Sequence, residues 1–129
     1  RGRWPELSDR NGKICRLDEV QPMESRQYLE FCLSELEGGS FIVRNMNLDL
    51  DFGMTWDPNI FRHLWVWQMY GGGEGYPYYG RAYTLALEPW SSVPDGLCRE
   101  LPQNEKLELQ PGETMNTELE AWIGSAFAE

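Results

Sequence analysis

The chain has 129 residues and a mass of 15.0 kDa, the size of a single domain. Its 11 basic and 21 acidic residues leave a net charge of −10, which opposes binding to a phosphate backbone or an anionic membrane surface. A hydrophobic fraction of 41% with 25% charged residues is globular composition, and no apolar run approaches the roughly 20 residues of a membrane-spanning helix.

From Arg1 to Met23 there are few apolar residues and several turn formers, Asn11-Gly12 among them. This reads as a loop with a short strand near Ile14 to Leu17. Arg1 to Pro5 shows no charged-then-apolar leader pattern, and the missing initiator Met leads us to expect an excerpt of a longer chain. Over Gln27 to Leu36, Leu29, Phe31 and Leu33 share one face of a strand. Leu29, Leu33 and Leu36 also fit helical spacing. The β-rich remainder of the chain favours the strand.

Glu37 to Ser40 reads as a turn and Phe41-Ile42-Val43 as a strand. The cleanest period follows. Leu48, Leu50, Phe52, Met54 and Trp56 alternate with Asp49, Asp51, Gly53 and Thr55, giving a strand with one apolar and one polar face. Asp57-Pro58-Asn59 stops it. Leu64 to Met69 reads as the next strand, with His63, Trp65, Trp67 and Met69 on one side and Leu64, Val66 and Gln68 on the other.

A loop of Gly, Tyr and Pro spans Gly71 to Gly80. Strand character returns from Tyr83 to Glu88, and a loop with two prolines runs from Pro89 to Leu97. Lys106 to Leu109, a Pro111-Gly112 turn and Met115 to Ile123 read as a closing hairpin. The expected fold is all-β: one antiparallel β-sandwich domain over residues 1–129.

Cys15, Cys32 and Cys98 are odd in number and widely spaced, which argues against a disulfide framework and against a thiolate metal site. A reducing cytoplasm is the simplest compartment, and no cofactor is expected. His63, the single histidine, has no Gly-x-Ser-x-Gly elbow to serve, and a lone histidine is more often packed than catalytic. Gly71-Gly72-Gly73 is not followed by Gly-Lys-Ser/Thr, so it does not read as a phosphate loop.

Aromatic residues are 13% of the chain, with six Trp and six Tyr, and many sit between Trp56 and Trp90. They can fill a core or form the flat apolar platforms on which sugar rings lie. Trp65 and Trp67 are open to either reading. Among the acidic residues Glu88 differs. It closes the apolar stretch from Ala82 to Leu87 and precedes Pro89-Trp90. Desolvation beside aromatic residues would raise its pKa, as a general acid or base near neutrality requires.

An ordered set of segments then resembles a known family. It consists of Trp56-Asp57-Pro58, Leu64-Trp65-Val66-Trp67, Gly75-Tyr76-Pro77, Tyr79-Gly80-Arg81, Leu87-Glu88-Pro89-Trp90 and Leu109-Gln110-Pro111-Gly112-Glu113. Over residues 38–127 it is similar to the carboxy-terminal half of the galactose mutarotase-like (aldose 1-epimerase-like) family, leaving residues 1–37 unmatched.

The resemblance implies part of a β-supersandwich that binds an aldose, with Glu88 at the position of the glutamate that takes the anomeric hydroxyl proton. The family's histidines lie in its other half, and His63 matches none of them. Three readings follow. One is an isomerase using Glu88. The second is a non-catalytic carbohydrate-binding module with Trp65, Trp67, Tyr76, Tyr79, Arg81, Trp90 and His63 as sugar contacts. The third is an assembly domain. Glycoside hydrolysis would need a second carboxylate facing Glu88, from Glu74 or Asp57. A small-molecule sugar is the expected ligand. A homodimer, or association with a missing amino-terminal half, is the expected assembly, because half a sandwich leaves sheet faces open.

Overall fold

A computed structural model describes residues 2–8, 12–93 and 107–125. Strands dominate: β1 (Glu6–Ser8), β2 (Ile14–Arg16), β3 (Gln27–Leu33), β4 (Ser40–Asn45), β5 (Leu50–Trp56), β6 (His63–Tyr70), β7 (Tyr83–Trp90) and β8 (Leu119–Gly124). The single helical element among the described residues is a 3-10 turn, Met23–Ser25, which closes at Arg26 in the left-handed region. The chain is thus all-β and antiparallel, consistent with a β-sandwich, as the alternating sequence pattern predicts. No helix among the described residues is long and apolar enough to cross a membrane.

The chain packs as two compact units interleaved in sequence, Arg1–Leu33 with Trp65–Glu88 and Ser34–Leu64 with Pro89–Glu129. The first holds the β1-β2 hairpin, in which Leu7 opposes Cys15. It also holds most of the β3-β6-β7 sheet. Gln27, at the start of β3, bonds Gln68 near the end of β6, while Ser34, just past β3, bonds His63 at the start of β6. The two strands therefore run in opposite directions. β6 is the central strand and is covered on both faces: Leu64, Val66, Met69 and Tyr70 are buried.

Gln68 is buried among them, and both ends of its amide are satisfied. Its Nε2 donates to the Leu17 carbonyl at 2.8 Å, and its Oε1 accepts from Gln27 Nε2 at 2.9 Å. An amide without such partners would be costly in this position.

The second unit is built on the β4-β5-β8 sheet. Phe41 and Val43 of β4 oppose Met54 and Phe52 of β5. Trp56 is buried, its ring 5.9 Å from that of Phe41, and its indole N–H donates to the Phe61 carbonyl at 3.0 Å. On the opposite face Arg44 faces Asp51 across the ladder and holds it through two nitrogens, Nε to Oδ1 at 3.0 Å and Nη2 to Oδ2 at 2.7 Å. Trp122 of β8 lies over Gly53, where any Cβ would come within 2.3 Å of the indole.

Several expected boundaries shift. β5 starts at Leu50, not Leu48, because the Asn45 side chain accepts the Asn47 and Leu48 amides and Asp49 turns the chain at φ 50°. β3 stops at Leu33, and the αL residue Glu35 follows. β7 runs through Pro89 to Trp90, where a loop was expected. It is an edge strand, which tolerates the missing amide.

The closing hairpin does not form. Residues 107–109 are not a strand, and β8 begins only at Leu119. The Pro111-Gly112 turn is present, closed by Glu113 N–H to Gln110 O at 2.9 Å and by the Glu113 carboxylate accepting the Gln110 amide at 2.8 Å. Asn11, Pro94, Cys98 and Lys106 lie outside the described residues.

Candidate functional site

In the first unit the Gly71–Gly80 segment is a closed loop rather than a slack one. Gly71 donates to Ala82 O at 2.9 Å, Gly80 to Gly73 O at 3.0 Å, and Tyr79 to Gly75 O at 2.9 Å. Gly71, Gly73 and Gly80 all have positive φ, which glycine adopts without steric cost. At Gly71 a Cβ would also meet the Met23 carbonyl at 2.1 Å.

A guanidinium pins the base of this loop. Arg26 Nη1 donates to the carbonyls of both Gly71 and Gly80, at 3.1 and 3.0 Å. The αL turn after the 3-10 segment positions Arg26 for this contact.

The pinned loop presents Tyr76 and Tyr79, which are 85% and 59% exposed. Their rings are 6.2 Å apart and inclined at 81°, so the two planes form a floor and a wall. Exposed Glu74 and Arg81 flank the pair in the chain, and Arg81 N–H donates to Tyr78 O at 3.0 Å. Tyr78 turns inward, with its ring 5.7 Å from Trp67 and 6.5 Å from Tyr28. The Tyr28 hydroxyl donates to Glu30 at 2.5 Å. That bond, with some burial, pushes the Tyr28 hydroxyl up to about 12, because ionising it would set a phenolate against a carboxylate. Burial likewise pushes Tyr70 up to about 12, with its ring 5.5 Å from Tyr83. Both hydroxyls are protonated near neutrality, Tyr28 bound to Glu30 and Tyr70 buried.

The expected site residues divide between the units. Trp65, Trp67, Tyr76, Tyr79, Arg81 and Glu88 belong to the first, His63 and Trp90 to the second. Trp67 packs against Tyr78 and is half-buried. Trp65 and Trp90 are also only partly exposed.

Glu88 is exposed on β7, so the burial expected to tune it is not found. His63 is 2% exposed, and its Nδ1 lies 2.8 Å from Ser34 Oγ; it is a packed histidine. Cys15 is a free thiol, Cys32 Sγ lies 3.7 Å from the Leu33 carbonyl, and no cluster of His, Cys, Asp or Glu among the described residues could hold a metal ion.

Three residues that organise this site have no local signature: Arg26, Tyr28 and Tyr78. The break in alternation at Tyr28-Leu29 is the one trace of them in the sequence. Comparison of the chain with family models, curated proteins and solved structures finds no match.

Proposed function

We propose that this chain binds free aldoses on the Gly71–Gly80 loop, without turning them over. The perpendicular Tyr76–Tyr79 pair carries the reading. A pyranose has one apolar C–H face and a rim of hydroxyls. One tyrosine plane can take the face, while the other ring closes one side. The two tyrosine hydroxyls, Arg81 and Glu74 supply donors and acceptors for the rim. The internal hydrogen bonds and the Arg26 staple hold the rings in place before a ligand arrives, which lowers the ordering cost of binding.

The similarity of Leu87-Glu88-Pro89 and its neighbouring segments to the aldose 1-epimerase-like family supports the choice of ligand class. Turnover by that family's route needs a histidine acid as well as the glutamate base. The single histidine here is buried against Ser34, which favours binding over catalysis.

The test is a titration with glucose, galactose and mannose followed by tryptophan fluorescence, for which Trp67 against Tyr78 is a nearby reporter. A saturable change with a Kd of roughly 1 mM is expected for at least one sugar. Flat titrations across the panel would remove the proposal.

A further inference from the structure

The β4-β5-β8 sheet has one face without charge. Its register sets Val43 and Ile123 on either side of Phe52, and Phe41 and Ala121 on either side of Met54. Opposed residues project to the same side, and the alternation adds Leu50, with the Trp56–Leu119 pair at the far end. Leu119 is 48% exposed on this face and Ile123 73%. The other face carries the Arg44–Asp51 ion pair, Glu120 and Trp122.

β8 is also an edge. Among the described residues it pairs with β5 on one side alone, and all of its residues except Gly124 are exposed. It contains no proline and no lysine, the residues that commonly protect an edge. The opposite edge, β4, carries Arg44 and Asn45.

We propose that β8 pairs antiparallel with β8 of a second copy about a two-fold axis at Ala121, joining two three-stranded sheets into one of six strands. An antiparallel pair of identical strands is two-fold symmetric by nature, so the contact closes at two copies. The pleat restricts the register. An axis between two residues would oppose odd positions to even ones and set the apolar face of one copy level with the polar face of the other. The axis must therefore pass through a residue.

An axis at Glu120 would oppose two carboxylates, and one at Trp122 would leave Leu119 facing Ser125, past the end of the strand at Gly124. An axis at Ala121 sets Leu119 opposite Ile123 of the second copy, twice, and Glu120 opposite Trp122, with a small side chain at the centre. No like charges then face each other in the ladder. The charge-free face becomes continuous across six strands, and the β4 strands, with Arg44 and Asn45 at one end, close the sheet. This inference is independent of the sugar-binding reading.

Sedimentation of the unmodified chain from about 1 to 300 μM tests for the dimer. A dimer that dominates by about 100 μM is expected, and a monomer at every concentration overturns the proposal. Cysteine cross-linking tests the register. Residues opposed at the axis have Cα atoms about 4.5–5.5 Å apart, within disulfide reach.

Ala121→Cys is expected to form an inter-copy disulfide on mild oxidation, located by peptide mapping to separate it from the native cysteines. Leu119→Cys is expected to form none to itself. A dimer in which Ala121→Cys does not cross-link, or in which Leu119→Cys does, refutes the β8 pairing.

Discussion

Arg26 and Gly80 stand far apart in sequence, yet the Arg26 guanidinium donates to the Gly80 carbonyl at 3.0 Å and the same nitrogen donates to Gly71 O at 3.1 Å. One side chain thus ties both ends of the tyrosine loop to the segment before β3. Replacing it with methionine keeps the apolar stem and removes both bonds. Arg26→Met should lower stability by about 1 kcal/mol. It should also speed amide exchange from Gly71 to Arg81 far more than in β5. Unchanged exchange in the loop would show that the staple does not order it.

Gln68 offers a sharper stability test. Gln68→Leu fits the apolar surroundings but leaves the Leu17 carbonyl and the Gln27 amide without their partner. The expected loss in urea denaturation is about 1–3 kcal/mol. Gln27→Leu leaves one group unsatisfied, the buried Gln68 Oε1, where Gln68→Leu leaves two, and should cost less. The reverse order would place the network's weight elsewhere.

The strands were legible in the sequence where one period dominated. Leu50, Phe52, Met54 and Trp56 alternate cleanly, and β5 follows them. β6 was legible too, although its two faces are both covered and its tryptophans are half-buried. What failed was set by side-chain hydrogen bonding or by distant contacts. The Asn45 turn delays β5, and the edge position of β7 admits Pro89. Arg26, Tyr28 and Gln68 act on residues remote in sequence, and no window of neighbours encodes such contacts. Tyr76 and Tyr79 were visible as aromatic residues, but their mutual angle was not.

Asp51 sets a pH dependence. The Arg44 hydrogen bonds hold its carboxyl below the usual carboxylate range, against a smaller opposing effect of burial. A depressed folded-state pKa contributes stability that is fully present above the unfolded value of about 4. It is lost as pH falls through the folded-state value. Asp51→Asn should therefore destabilise the protein at pH 7 and flatten the fall in stability below about pH 4. Parallel acid limbs for the two proteins would contradict this.

Binding without turnover has its own check. With freshly dissolved α-D-glucose, the optical rotation should relax at the buffer rate, and Glu88→Gln should change nothing. An accelerated rate that Glu88→Gln abolishes, with an unchanged circular dichroism spectrum, would establish Glu88 as a base and overturn the non-catalytic reading.

The Tyr76–Tyr79 corner is the proposed seat of the sugar. The most direct measurement is a two-dimensional amide NMR titration with the tightest-binding aldose, on the unmodified chain and on Tyr76→Ala and Tyr79→Ala. Saturable shifts concentrated between Gly71 and Arg81 are expected. Each substitution should weaken binding by roughly five-fold, the loss of about 1 kcal/mol of ring contact. Shifts that saturate elsewhere, or affinities that survive both substitutions, would contradict that assignment.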